Sequence, residues 1–249
     1  MGVEATRARR SIQAVLFDLG GTLFYDDPDA WERTYARADK ALWDSLNASG
    51  VRASPEIVFG REDGLLHYYY ELRATGLEEP GAAGVLKELL TKRGIPFSEA
   101  SLTKALGAMY AVTQTNWRLE DDAIPALEKM RTAGIRQGII SNGSDDANAR
   151  RLLEKGHLER YFESVLTSAA FGRRKPDPSI FQAALAELGA RPEESVMVGD
   201  SYDADIAGAQ AVGMQTIWIT RRVRQLPAAP GMRAQTKVGS LAEIPALVV

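Results

Sequence analysis

The sequence predicts an α/β protein: a doubly wound, Rossmann-like parallel sheet with an all-helical segment inserted after its first strand. Three observations carry this. Short apolar runs recur along the chain and end in polar or glycine-rich turns, helical patterns separate them, and between about Pro28 and Leu119 the strand signal vanishes. Continuous apolar runs mark strands buried on both faces of a parallel sheet. Strands alternating with helices build such a sheet with its ligand crevice at the carboxyl ends of the strands.

The first strand is Ala14-Val15-Leu16-Phe17, ending at an acid and two glycines. Asp27-Pro28 then predicts an N-cap followed by proline in a first helical turn. Trp31, Tyr35, Ala38, Leu42 and Leu46 recur at steps of three and four, giving this helix one apolar face. Ser54-Pro55-Glu56 opens a second helix with Val58, Leu65, Tyr69 and Leu72 as its inner face. Val85, Leu86, Leu89 and Leu90 belong to a third, and Ser98 to Val112 supplies a fourth. Trp31 and Trp43 are expected inside this helical unit. Its other conspicuous side chains, among them His67, Tyr68, Tyr70, Arg33, Lys40, Trp117 and Arg118, receive no catalytic assignment.

Beyond Leu119 the strands resume at Gly138-Ile139-Ile140, Ser164-Val165-Leu166, Ser195-Val196-Met197-Val198 and Thr216-Ile217-Trp218-Ile219. Helices are expected from Pro125 to Ala133, Asp145 to Lys155, Pro178 to Leu188 and Ala204 to Ala211. Arg221 to Lys237 reads as a surface loop before a short closing strand and helix. The division is thus a sheet domain of residues 12–27 and 120–249 and a helical domain of residues 28–119.

A chain of 249 residues accommodates such a core with a smaller inserted domain. Its net charge of -3, with both signs mixed along the chain, points away from a nucleic-acid or membrane surface. The absence of cysteine excludes disulfides, thiolate zinc sites and a cysteine nucleophile. Met1 to Ser11 has arginines but no following apolar core long enough for a signal peptide, and Ala14 to Phe17 is far short of a membrane span. The expectation is a cytoplasmic protein. The match of Met1 to Thr6 to a myristoylation pattern, with no second anchoring signal, is read as chance.

Four segments at the ends of strands carry the chemistry: Asp18-Leu19-Gly20-Gly21-Thr22-Leu23, Ser141-Asn142-Gly143, Arg174-Lys175-Pro176-Asp177-Pro178, and Gly199-Asp200-Ser201-Tyr202-Asp203-Ala204-Asp205. Glycines after Asp18 let the backbone turn tightly, so that neighbouring amides, Leu19 among them, point at an anion. A carboxylate there can attack phosphorus and divide hydrolysis into formation and breakdown of an aspartyl-phosphate. Ser141 can donate to a phosphoryl oxygen. Asn142 either contacts substrate or holds its loop. Lys175, in a loop stiffened by Pro176 and Pro178, can neutralise the nucleophile and the charge developing on the transferred group. Its neighbours Arg173 and Arg174 are expected in solvent. Mg2+ prefers a few carboxylates, a carbonyl, waters and phosphate oxygens; Asp18, the carbonyl of Gly20 and Asp200 could supply that set, with Asp205 holding a metal-bound water. Asp203 is expected to face solvent or cap a helix, and Ser201 to bond within the loop.

Taken together these motifs resemble the haloacid dehalogenase-like hydrolase superfamily, over nearly the whole chain from about Ile12 to about Ile244 and most densely between Asp121 and Thr220. The resemblance implies a Mg2+-dependent phosphatase acting on a small phosphomonoester, with the helical insertion as a cap that closes over the crevice and selects substrates. One position departs from the pattern: Gly20 stands where phosphatases of this superfamily usually carry an aspartate that protonates the leaving oxygen and then activates water. Asp26 or Asp27, at the entry to the insertion, is the candidate substitute, or else caps the first helix. Two alternatives follow from Gly20. One is a binding or regulatory protein with weakened catalysis. The other is a dehalogenase or phosphonatase, less favoured because the first would carry an aromatic residue at Gly20 and the second an imine-forming lysine in the cap. The identity of the substrate is not legible in the sequence.

Overall fold

A computed structural model describes residues 11–60, 64–223 and 236–249. Its strands are β1 (Ala14–Phe17), β2 (Phe24–Asp26), β3 (Trp117–Leu119), β4 (Arg136–Ser141), β5 (Ser164–Thr167), β6 (Ser195–Gly199), β7 (Gln215–Ile219) and β8 (Thr236–Val238). Six of them form one sheet in the order β5-β4-β1-β6-β7-β8, every pair parallel, while β2 and β3 pair separately and antiparallel. This is the doubly wound α/β core that the apolar runs predict.

Both faces of β1 are covered, which is why its residues are all apolar. Val15 and Phe17 join the cluster formed with helices Ala123–Thr132 and Asp146–Lys155, whereas Ala14 and Leu16 pack with helix Pro178–Glu187 on the opposite face. All four are 0% exposed. Burying a side chain the size of Leu16 or Phe17 contributes about 1.5–3 kcal/mol each. From β1 the chain fills β4 and β5 on one side, then returns to β6, β7 and β8 on the other. Strand order therefore reverses beside β1, and the crevice outside that reversal is where open α/β sheets bind ligands.

Between β2 and β3 lie α1 (Trp31–Ala48), α2 (Pro55–Phe59), α3 (Leu65–Ala74), α4 (Ala82–Lys92) and α5 (Glu99–Thr113). They enclose their own core, including Leu42, Leu46, Leu86, Leu90, Leu102 and Leu106. α5 starts at a capping box in which Ser98 and Ser101 satisfy each other's backbone amides.

Several expectations are corrected here. α1 begins at Trp31 rather than at Pro28, because the Asp27 carboxylate accepts the Asp29 amide at 3.1 Å and spends these residues on a turn. The expected second helix is two, broken at Gly60. α3 buries none of its residues fully: Leu65 packs against the insertion's core and also lines a cavity, and Tyr69 lines the same cavity. Trp43 packs on the insertion's core, but Trp31 is 49% exposed and stacks on Tyr35. The expected helix from Ala204 starts earlier, as a π-helix over Tyr202–Ala207, and becomes α-helical at Gly208. Of the expected loop Arg221 to Lys237, residues 224–235 lie outside the described residues, and Lys237 sits in β8. The amino-terminal readings on Met1 to Arg10 also fall outside them.

The loop between α3 and α4 reaches across to the sheet domain. The Glu79 amide donates to Gly172 O at 3.0 Å and the Ala82 amide to Ser144 O at 2.7 Å. Arg174, expected in solvent, instead donates from its guanidinium to the carbonyls of Arg73, Gly76 and Glu78. Hydrogen bonds from a charged donor are worth about 1.5–3 kcal/mol each. Arg174→Ala should therefore speed hydrogen exchange of the amides of residues 73–82 by about 10-fold or more, with the sheet amides unaffected. Unchanged exchange in that segment would show that the clamp does not hold it.

Candidate active site

Asp18 follows β1, Ser141 ends β4, and Asp200 follows β6, so these three motifs meet at the reversal of strand order. Lys175 reaches the same point from the loop before helix Pro178–Glu187. Its ammonium donates to Asp18 Oδ1 at 2.6 Å and to Ile140 O at 2.6 Å. It also lies 2.6 Å from Asp205 Oδ1, an ion pair at angles outside hydrogen-bond geometry. The Lys175 side chain is 1% exposed. Burial pushes its ammonium toward neutrality, but the carboxylates of Asp18 and Asp205 outweigh that and hold it charged, above the ordinary lysine range.

Around this lysine, carboxylates are in excess. Asp18, Asp200 and Asp205 each present one oxygen, all within 4.8 Å of one another. Burial first, then the charges of Asp18 and Asp205, push Asp200 up to about 7. Burial likewise raises Asp205 despite its lysine partner. Asp205 Oδ2 accepts the Ser201 amide at 3.0 Å, while the buried Oδ1 has no hydrogen bond. Three crowded carboxylate oxygens against a single ammonium suit a hard divalent cation. Two glycines make room for them. A Cβ at Gly21, where φ is +88°, would fall 2.3 Å from Asp200 Oδ2, and one at Gly199 would fall 2.3 Å from Asp205 Oδ2.

Gly20 and Leu19 line the same cavity as Asp18. The space beside Gly20 is not vacant: a Cβ there would lie 3.0 Å from the Trp117 ring, which projects from β3. Neither Asp26 nor Asp27 lines the cavity. Asp26 accepts from the Asn116 amide, and Asp27 holds its own turn. Asp27 therefore does not cap the first helix either: the N-cap of α1 is Ala30, and Asp27 holds the turn that precedes it.

Ser141 is buried and lines the cavity. Asn142 holds the loop. Its Nδ2 donates to Lys175 O at 2.9 Å and its Oδ1 accepts the Lys175 amide at 2.8 Å, so its side chain fixes the lysine's backbone. Ser201 caps the π-helix through the Ala204 amide, and Asp203 is exposed, as the sequence suggested for both. Arg173 pairs with Asp177 at 2.6 Å.

Above these groups lies a cavity of about 970 Å³ whose far wall is made by the insertion, including Trp31, Tyr35, Tyr69, Tyr70, Arg73 and Trp117. Sequence reasoning did not single out Arg73, nor its buried partner Glu79. The only signal for Arg73 is a place on α3 that also fits an ordinary solvated face, and Glu79, in the loop after α3, has none.

A family model for haloacid dehalogenase-like hydrolases matches residues 12–213. The chain belongs to that family of hydrolases. Among its relatives, phosphoserine phosphatase of Thermus thermophilus is 31% identical over 172 residues, 68% of each chain. Ribulose-1,5-bisphosphate 5-phosphatase of Halopiger xanaduensis is 39% identical over 212 residues, 82% of this chain and 83% of its own. In fold, the crystal structure of a 2-haloacid dehalogenase from Pseudomonas syringae pv. Tomato DC3000 superposes with a TM-score of 0.69 at 23% identity, covering 95% of this chain and 98% of that one.

Removing one partner of a buried ion pair costs about 3–5 kcal/mol, because the other charge is left uncompensated. Lys175→Met should lose that much in chemical denaturation with chelator present, and adding Asp18→Asn should restore part of it. A single variant within about 1 kcal/mol of wild type would mean that the ammonium does not hold the carboxylates together.

Proposed function

We propose that the protein is a Mg2+-dependent phosphatase acting on a small phosphomonoester through an aspartyl-phosphate on Asp18. The observation that carries this reading is the buried Lys175 ammonium on Asp18 Oδ1, beside a cluster of oxygen donors at the crevice of the sheet. Relatives named as phosphatases support the reaction class.

With Oδ1 held by Lys175, Asp18 attacks phosphorus through Oδ2. The bond to the ester oxygen breaks, and the leaving alkoxide or phenoxide takes its proton from solvent, because Gly20 has none to give. Water then attacks phosphorus, releasing inorganic phosphate and restoring the Asp18 carboxylate. Ser141 and the amides after Asp18, Leu19 included, bind the phosphoryl oxygens. Asn142 acts through the backbone of Lys175. Asp18, the Gly20 carbonyl and Asp200 would hold Mg2+, with Asp205 on its water; when bound, the cation supplies charge neutralisation for the phosphoryl group. The insertion serves as the cap, excluding water and selecting substrates.

Turnover should require Mg2+ and vanish in Asp18→Asn, and Asp200→Asn should raise the Mg2+ concentration needed. Full activity in chelator, or in Asp18→Asn, would discard this mechanism.

General acid-base help is worth about 10^2 to 10^4 in rate, so its loss should fall on poor leaving groups. Wild type should favour aryl over alkyl phosphates steeply. Gly20→Asp alone should gain little, because Trp117 stands against the new Cβ, whereas Gly20→Asp with Trp117→Ala should flatten the series by improving alkyl esters most. A flat series in wild type at efficient rates would mean that another group carries the proton. The same Trp117 contact favours a second reading, a binding protein with weakened catalysis. That reading requires phosphate and Mg2+ to bind with no ester turned over.

A further inference from the structure

Among the described residues that line the cavity, only Lys175 and Arg73 are basic. Lys175 is fully engaged at the base of the site. Arg73 projects from α3 on the opposite wall and is held along one side only. Its Nη1 donates to Tyr69 Oη at 2.6 Å, and its guanidinium carbon lies 5.0 Å from the centroid of the Tyr69 ring. Its Nη2 stands 3.8 Å from Glu79 Oε2, beyond hydrogen-bond distance.

Glu79 takes its hydrogen bonds elsewhere, from Tyr69 Oη at 2.9 Å and Ser168 Oγ at 3.1 Å. Its side chain is 0% exposed while that of Arg73 is 20% exposed. Ser168 Oγ also lies 3.2 Å from Gly143 O, in the Ser141-Asn142-Gly143 turn. A chain of side chains thus fixes Arg73 relative to the turn that faces the phosphoryl site.

A guanidinium has five N–H donors in a rigid fork, and Arg73 spends one of them on Tyr69. The neighbouring Arg174 guanidinium, which bonds only to carbonyls here, donates to the Arg73 carbonyl and so holds the end of α3. A stacked, positioned arginine with spare donors suits bidentate binding of a carboxylate or phosphate.

We infer that Arg73 is the anchor for a second anionic group on the substrate, across the cavity from Asp18. Resting on the phosphatase reading, this narrows the substrate class to phosphomonoesters bearing a carboxylate or a second phosphate. Tyr69 and Glu79 are positioning residues for that anchor.

The test compares wild type, Arg73→Ala and Arg73→Lys on phenyl phosphate, para-carboxyphenyl phosphate and hydroquinone bisphosphate with Mg2+. Arg73→Ala should reduce kcat/KM for a charged ester about 10-fold or more beyond its effect on phenyl phosphate, chiefly through KM. Arg73→Lys should retain part of the preference. Whichever charged ester loses more identifies the group that is anchored. Equal losses on all three esters, or a preference that survives in Arg73→Ala, would overturn the inference. If wild type hydrolyses none of them, the phosphatase reading fails instead. Calorimetric binding of the same three compounds to wild type and Arg73→Ala then decides for or against the anchor by the same differential.

Discussion

Burying an ammonium away from water costs several kcal/mol unless its charge and all its donors are matched. In this chain the Lys175 ammonium is matched by Asp18, by Asp205 and by the Ile140 carbonyl. These partners come from the ends of β1, β4 and the segment after β6, so the ion cluster can form only when the parallel register of those three strands is correct. The cluster in turn fixes the direction of Asp18. It leaves Asp200 in a crowd of negative charge that a proton or a divalent cation relieves. Fold and chemistry meet at the same atoms.

The segment from Arg173 to Asp177 links that cluster to the inserted helices. Lys175 points inward to Asp18, Arg174 clasps the loop between α3 and α4, and Asp177 caps the next helix by accepting the Ser179 amide at 2.9 Å. A disturbance of this segment would reach the nucleophile, the insertion and a helix that buries one face of the sheet. The insertion is also tied at its base, where β2 and β3 pair and Asn116 bonds across to Asp26 and Asp27. The far wall of the cavity is therefore held at two places, and Arg73 and Tyr69 lie close to the outer one.

The sheet was legible because a strand buried on both faces must be continuously apolar, and Ala14 to Phe17 could be little else. Asp18, Ser141, Lys175 and Asp200 were legible because each follows such a run or a proline-braced turn. What escaped were interactions between segments far apart in sequence. Arg174 looks like any surface arginine until the loop at Gly76 is laid against it, and Glu79 and Ser168 have no local sign of each other. Trp31 falls on the apolar stripe of α1, but the first turn of that helix overhangs the cavity, so the stripe is no guide to burial there. Gly20 could be recognised as a departure, yet only the fold shows that the Trp117 ring stands beside it.

The central claim is that the Asp18 carboxylate, aimed by Lys175, becomes covalently phosphorylated. Borohydride reduces an acyl phosphate to an alcohol and leaves a free carboxylate untouched. The decisive measurement is peptide mass spectrometry after borohydride quenching during turnover of an aryl phosphate with Mg2+. Conversion of Asp18 to homoserine is expected only when substrate and Mg2+ are both present. An unmodified Asp18 under conditions of steady turnover, with or without reduction at another carboxylate, would contradict it.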